Sequence, residues 1–230
     1  MKKYLLLLLI PLLFGNCTKT NTETLPKGFV YVTDHIPDVI LEIRYYSTYN
    51  FLGVRVDGYH SPVAILTKEA TEALQKVNDD LRKQGFAIKV FDVFRPQRAV
   101  DHFVRWAENL NDTLTKRYFY PDICKSRLFV DGYIAKRSSH SRGSAVDLTL
   151  VELLTGLEVD MGSPFDFFGE RSHHGSPLIT AEQANNRLIL KNAMERAGFV
   201  PYANEWWHYM LANEPFPNTF FDFPIRDLRR

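Results

Sequence analysis

Seven histidines stand in the chain, and two of them keep company that could do chemistry. His140 lies in Ser138-Ser139-His140-Ser141-Arg142-Gly143-Ser144-Ala145-Val146-Asp147, a turn-forming cluster that runs into a strand displaying Asp147. His208 closes Glu205-Trp206-Trp207-His208, where a carboxylate and an imidazole sit among aromatics that would keep water out. Two imidazoles and one carboxylate make the three-ligand set of a catalytic zinc, with a fourth position left open. Glu205, not needed as a ligand, is then a candidate general base, because hydrolysis needs a carboxylate within one hydrogen bond of the nucleophilic water. Each segment taken alone also has a plain structural reading, as a hydrogen-bonded core histidine or as an aspartate paired with an arginine. There is a geometric condition as well. Residues three apart on a regular strand face opposite sides, so Glu205 to His208 must contain a bulge, a bend or a helical turn. The other histidines, His35, His60, His102, His173 and His174, are expected as surface or loop residues. The adjacent pair His173-His174 lies in a Ser, Gly and Pro segment without an acidic third partner.

The elements that must carry these residues follow from periodicity. Ala70, Ala73, Leu74, Val77 and Leu81 fall at helical spacing between Thr67 and Gln84, with Thr67 as cap and Gly85 as terminator. The aromatic and branched run Phe86 to Val93 reads as a buried strand stopped at Arg95-Pro96, which puts Arg95 at a strand end. Gln97 to Leu110 returns to helical spacing, and Thr180 to Ala197 reads as a helix opened by Thr180 and Gln183 in capping-box order and closed by Gly198. Ala145 to Val151 alternates with period two, so Asp147 is expected to point away from a single apolar face made by Val146, Leu148 and Leu150. Phe199 to Val200 and Glu205 to Met210 read as two short strands joined by a turn at Pro201. The mixture lacks regular βαβ alternation, which predicts a single α+β domain with helices on a small, mainly antiparallel sheet. The tail after Asn213, with three prolines among four phenylalanines, reads as an irregular wrap over the core.

With those motifs and elements in place, the chain resembles the zinc D-alanyl-D-alanine dipeptidases, within the wider group of zinc D,D-peptidases. The resemblance rests on Ser138-x-His140-x-x-Gly143-x-Ala145-x-Asp147 and Glu205-Trp206-Trp207-His208, and extends from about Phe29 to the end. It implies one Zn2+ per chain held by His140, Asp147 and His208, with Glu205 as general base. It also covers Phe94-Arg95-Pro96, where the family more often has tyrosine before the arginine and uses the arginine on the oxyanion; the alternative for Arg95 is a structural salt bridge. Asp160-Met161-Gly162-Ser163-Pro164-Phe165-Asp166 is similar to the segment that sets a carboxylate, here Asp166, on the substrate's free amine; the alternative is a cap or loop carboxylate. Ser138 binds substrate or stabilises its turn. The implied activity is hydrolysis of D-Ala-D-Ala. The alternatives are a D,D-carboxypeptidase or endopeptidase on longer wall peptides, and a non-catalytic lipoprotein that binds wall fragments.

Composition narrows the rest. The 230 residues are 45% hydrophobic and 24% charged, as in ordinary globular chains, which sets aside disorder, collagen and coiled coil. With 28 basic and 27 acidic side chains and no Lys/Arg stripe, a nucleic-acid partner is not expected; the expected partner is a small dipeptide, and no protein partner is predicted. Lys2 and Lys3 precede ten residues, Leu5 to Phe14, that are apolar apart from the break at Pro11, too short to span a bilayer and matched to a signal peptide. Residues 1–16 therefore read as a signal, Cys17 as a lipidation site, 17–27 as a tether and 28–230 as the dipeptidase domain. Asn16 departs from the small residue usual before a lipidated cysteine, and the alternative is a plain secretory signal cut near Gly15. Without Lys2 and Lys3 the chain carries 26 basic against 27 acidic side chains, so attraction to anionic lipid is not the anchor. The expected location is the cell envelope, membrane-anchored and facing the periplasm.

Overall fold

Thr67 accepts a hydrogen bond from the Ala70 amide and so caps α1 (Lys68–Lys83), whose apolar stripe is buried as its spacing requires. In the computed structural model, which describes residues 24–229, this cap belongs to β3 (Ile65–Thr67), paired antiparallel with β1 (Phe29–Tyr31) in a two-stranded sheet. The principal sheet has five strands. Their order is β2 (Ile40–Leu41), β4 (Phe86–Asp92), β5 (Ala145–Glu152), β7 (His208–Leu211) and β6 (Phe199–Pro201). Only the short edge pair β2–β4 is parallel, so the sheet is mainly antiparallel, as predicted. The small second sheet was not foreseen, because three-residue strands leave almost no periodic signal.

Two helices, α2 (Gln97–Glu108) and α3 (Lys116–Phe119), follow β4, and α4 (Ala181–Arg196) precedes β6. The capping box on α4 forms as read, with Thr180 and Gln183 each bonding the other's backbone amide. Helix α1 packs on β4 and against α4, while α4 packs on β6. The opposite side of the sheet is covered by aromatic rings: Phe91 stacks on Phe165, Phe165 meets Trp207 edge-on, and Tyr45 touches Phe51, Phe103 and Phe165. The tail wraps the core without a second domain; Phe221 bonds back to the Ser141 carbonyl and Ile225 bridges Tyr59.

Three expectations need correction. Strand β5 does not have one apolar and one wet face, because Ala145 to Val151 are all buried; the aromatic layer seals the side on which Asp147 stands. Glu205 to Met210 is not a continuous strand. Glu205 to Trp207 form a tight turn closed by the His208 amide on the Glu205 carbonyl at 3.2 Å, and β7 begins only at His208. This is the bend that the chemistry required. Strand β4 also ends at Asp92, which leaves Arg95 three residues beyond it, in the approach to α2. The signal 1–16, Cys17 and the first part of the tether lie outside the described residues.

Candidate active site

Strand register gathers the site. In β5–β7 pairing Asp147 stands directly opposite His208, and in β4–β5 pairing it stands opposite Asp92. Side chains opposed in this way share a face, so Asp92, Asp147 and His208 form a row across three strands. The Asp92 end of the row depends on a bulge: register shifts between Val90 and Asp92, which puts Asp92 rather than Phe91 opposite Asp147. His140 arrives from a different direction. It sits in a single 3-10 turn, Ser139–Arg142, whose N-cap is Ser138 and which ends at Gly143 with φ +83.

The donor atoms of His140, Asp147 and His208 lie within 4.8 Å of one another, and no other such cluster occurs among the described residues. His140 Nε2 is 3.2 Å and His208 Nδ1 is 3.0 Å from Asp147 Oδ1, and the two ring nitrogens are 3.0 Å apart. The far nitrogens are spoken for: His140 Nδ1 is 2.6 Å from the Val93 carbonyl, and His208 Nε2 is 3.2 Å from Ser139 Oγ. A carbonyl can only accept, so Nδ1 of His140 carries the proton and its Nε2 lone pair faces the cluster, as a metal ligand must. This donor chemistry fits zinc.

Around the trio, Arg95 is anchored by Nε on Asp92 Oδ2 at 2.8 Å and by Nη2 at 3.4 Å from Asp147, while Tyr59 donates to Asp92 from behind at 2.6 Å. The salt bridge considered as an alternative for Arg95 therefore exists, and it aims the guanidinium: Arg95 lines both a cleft of about 230 Å3 and a cavity of about 30 Å3 behind it. Glu205 and Arg95 line both spaces, together with Phe103, Tyr133 and Ile134. The cleft carries His140, His208 and Ser138; the cavity carries Asp147 and Asp166 and is water-sized. Asp166 is buried in the left-handed region at φ +63, accepts from Tyr45 at 3.0 Å, and keeps its second oxygen without a partner. Neither a helix cap nor a surface loop describes it. Ser138 Oγ accepts from the His140 amide at 3.3 Å, so its turn-stabilising role is present, and the residue also lines the cleft.

Burial opposes the charge on Asp147, but the two imidazoles beside it outweigh burial and hold its carboxyl well below the usual range. Burial keeps His140 neutral by lowering its pKa. For His208 burial acts the same way, yet the hydrogen bond and charge of Asp147 raise it. Glu205 is pushed up to about 7, chiefly by burial, and Asp166 is pushed well up by burial and by the Asp147 charge. A carboxyl near 7 is matched to moving a proton at neutral pH.

Of the histidines set aside, His102 contacts Asp57 and His173 contacts Tyr133; neither joins the cluster. Sequence reasoning missed Asp92, Tyr59, Tyr45 and Ser139. Asp92 did leave a signal, a carboxylate inside an otherwise apolar strand run, which is rare unless paired.

The family model described as Peptidase_M15, D-ala-D-ala dipeptidase, matches residues 26–226. A D-alanyl-D-alanine dipeptidase of Enterococcus faecium is 44% identical over 199 residues, covering 86% of this chain and 98% of the relative. One from Streptomyces coelicolor is 41% identical over 197 residues, with the same two coverages. One from Escherichia coli is 32% identical over 175 residues, covering 76% and 80%. Among solved structures, a vancomycin-resistance D,D-pentapeptidase in complex with Zn(II) aligns with a TM-score of 0.41 at 17% identity, over 67% of this chain and 77% of that one.

Proposed function

This chain belongs to the D-Ala-D-Ala dipeptidase family of peptidases, and from that premise we propose that it hydrolyses D-Ala-D-Ala to two D-alanines with one zinc per chain. The observation that carries the reading is the buried Asp166 carboxylate, half unpartnered, in a cavity that opens past Asp147, Arg95 and Glu205. An ammonium is about the size of a water and fits that space; an acylated amine at the same point would have to extend into the packed Tyr45 and Phe168 walls. Dipeptides are thereby favoured over longer wall peptides.

A zinc held by His140, Asp147 and His208 would supply Lewis-acid polarisation of the scissile carbonyl and lower the pKa of the attacking water. The chain does the rest. Glu205 takes the proton of that water and hands it to the departing amine. Arg95, fixed by Asp92 and Asp147, meets the negative charge that develops on the carbonyl oxygen, a contact that strengthens only as the barrier is climbed. Asp166 holds the ammonium, which both places the dipeptide and neutralises the carboxylate. The Val93 carbonyl keeps the His140 imidazole in its ligating tautomer, and Ser139 holds the orientation of the His208 ring.

The same reading extends to place. Residues 1–16 direct export, Cys17 is lipidated and becomes the first residue, and the enzyme works in the envelope on dipeptides released by wall turnover. Asp166→Asn tests the substrate assignment. D-alanine release from D-Ala-D-Ala is expected to fall about 10- to 100-fold in kcat/KM, while the slow cleavage of an N-acetylated analogue changes little. Equal losses on both would return Asp166 to a structural role, and efficient wild-type cleavage of acylated peptides would favour a carboxypeptidase.

A further inference from the structure

A dipeptide presents a carboxylate as well as an ammonium, so a site that meets one with Asp166 calls for a cation at the other end. The cleft contains two guanidiniums. Arg95, held by Asp92 and Asp147, is the one assigned above to the carbonyl oxygen. Arg137 lines the same cleft as His140, Glu205 and His208, is exposed, and has no hydrogen-bond or ion-pair partner among the described residues. It is nevertheless not loose. Its guanidinium lies over the Phe220 ring at 4.7 Å, which restrains the plane while leaving all five N–H donors free. Its backbone leads directly into the Ser138-capped turn that holds His140, and the neighbouring Lys136 carbonyl accepts from Gln97 at 3.0 Å. The two ends are therefore of opposite sign: Asp166 lines the small cavity and Arg137 the open cleft, and Glu205 and Arg95 line both.

We propose that Arg137 binds the C-terminal carboxylate of the dipeptide and makes a free C-terminus a condition of good turnover. The proposal rests on the dipeptidase reading above. A planar fork suits a planar carboxylate, and a prepaid ring platform lowers the entropy lost on binding. Ground-state binding is what such a contact provides, so its loss should appear in KM rather than kcat.

The experiment is steady-state kinetics of the zinc-loaded full chain on D-Ala-D-Ala and on its C-terminal carboxamide, for the wild type, Arg137→Gln and Arg137→Lys. For Arg137→Gln we expect KM for the free acid to rise about 10- to 100-fold with kcat little changed, and kcat/KM for the carboxamide to stay at its wild-type level. Arg137→Lys should restore part of the loss, since it keeps the charge but not the fork. Equal losses on the two substrates, or no loss on the free acid, would overturn the assignment while leaving the dipeptidase reading intact. A wild type that releases no D-alanine from either substrate would overturn the dipeptidase reading and this inference with it.

Discussion

Removing the Glu205 side chain leaves all three ligand side chains untouched, so Glu205→Ala is expected to keep its metal and its melting temperature while losing about 100- to 10,000-fold in kcat. Metal analysis beside turnover checks this, and a variant with a tenth of wild-type kcat would take Glu205 out of the proton-transfer role. At this scale the sequence was readable where side-chain type and setting were telling: Asp147, His208 and Glu205 are polar groups beside apolar or aromatic residues, and His140 sits in a turn-forming cluster that leads into the Asp147 strand. It was silent where a role depends on a partner far along the chain. Tyr45 meets Asp166 across 121 positions and Ser139 meets His208 across 69, and nothing local announces either contact. Arg95 shows the limits of choosing between readings. The salt bridge is present, and the same Asp92 bond holds the guanidinium where it lines the cavity, so the structural reading and the proposed one are compatible.

Among the elements, the turn from Ser138 to Gly143 has the least room to vary. A Cβ at Gly143 would fall 2.3 Å from Phe29 Cε1 in a backbone conformation at φ +83 that other residues avoid. Phe29 cannot yield easily, since it is packed by Phe94, Phe216, Phe221 and Phe223. Gly143→Ala should therefore destabilise the fold by about 2–4 kcal/mol from strain plus overpacking, lowering Tm by roughly 5–15 °C. It should also weaken metal binding, because His140 rides on the same turn; an unchanged Tm would mean that the ring cluster is softer than its packing implies. The element most misread was Glu205 to Met210. Two tryptophans favour a strand locally, but the pairing of His208 with Asp147 sets where β7 begins, and that decision is tertiary. Helices α1 and α4 were legible to within a residue or so because their caps are encoded next to their apolar stripes.

For the whole molecule, the proposed compartment bears on purpose. Resistance to glycopeptides through dipeptide destruction needs access to the cytoplasmic precursor pool, and a chain exported and anchored at Cys17 would be denied it. Expression with residues 1–17 intact is thus expected to confer no such resistance, and Cys17→Ser should move the protein from the membrane to the soluble fraction with unchanged dipeptidase activity; native protein among soluble cytoplasmic markers would end this account of its location. The sheet, helices and tail together hold a three-strand row of polar groups beneath an aromatic layer, with its His208 end open to the cleft. Whether that row works as proposed is most directly tested by measuring bound zinc and D-alanine release together, in the wild type and in His140→Ala, Asp147→Ala and His208→Ala. The account predicts one zinc per wild-type chain and steady release of D-alanine from D-Ala-D-Ala, both lost on chelation and restored by added zinc, and both lost in each variant. Full zinc occupancy in the variants, or undiminished turnover by metal-depleted protein, would contradict it.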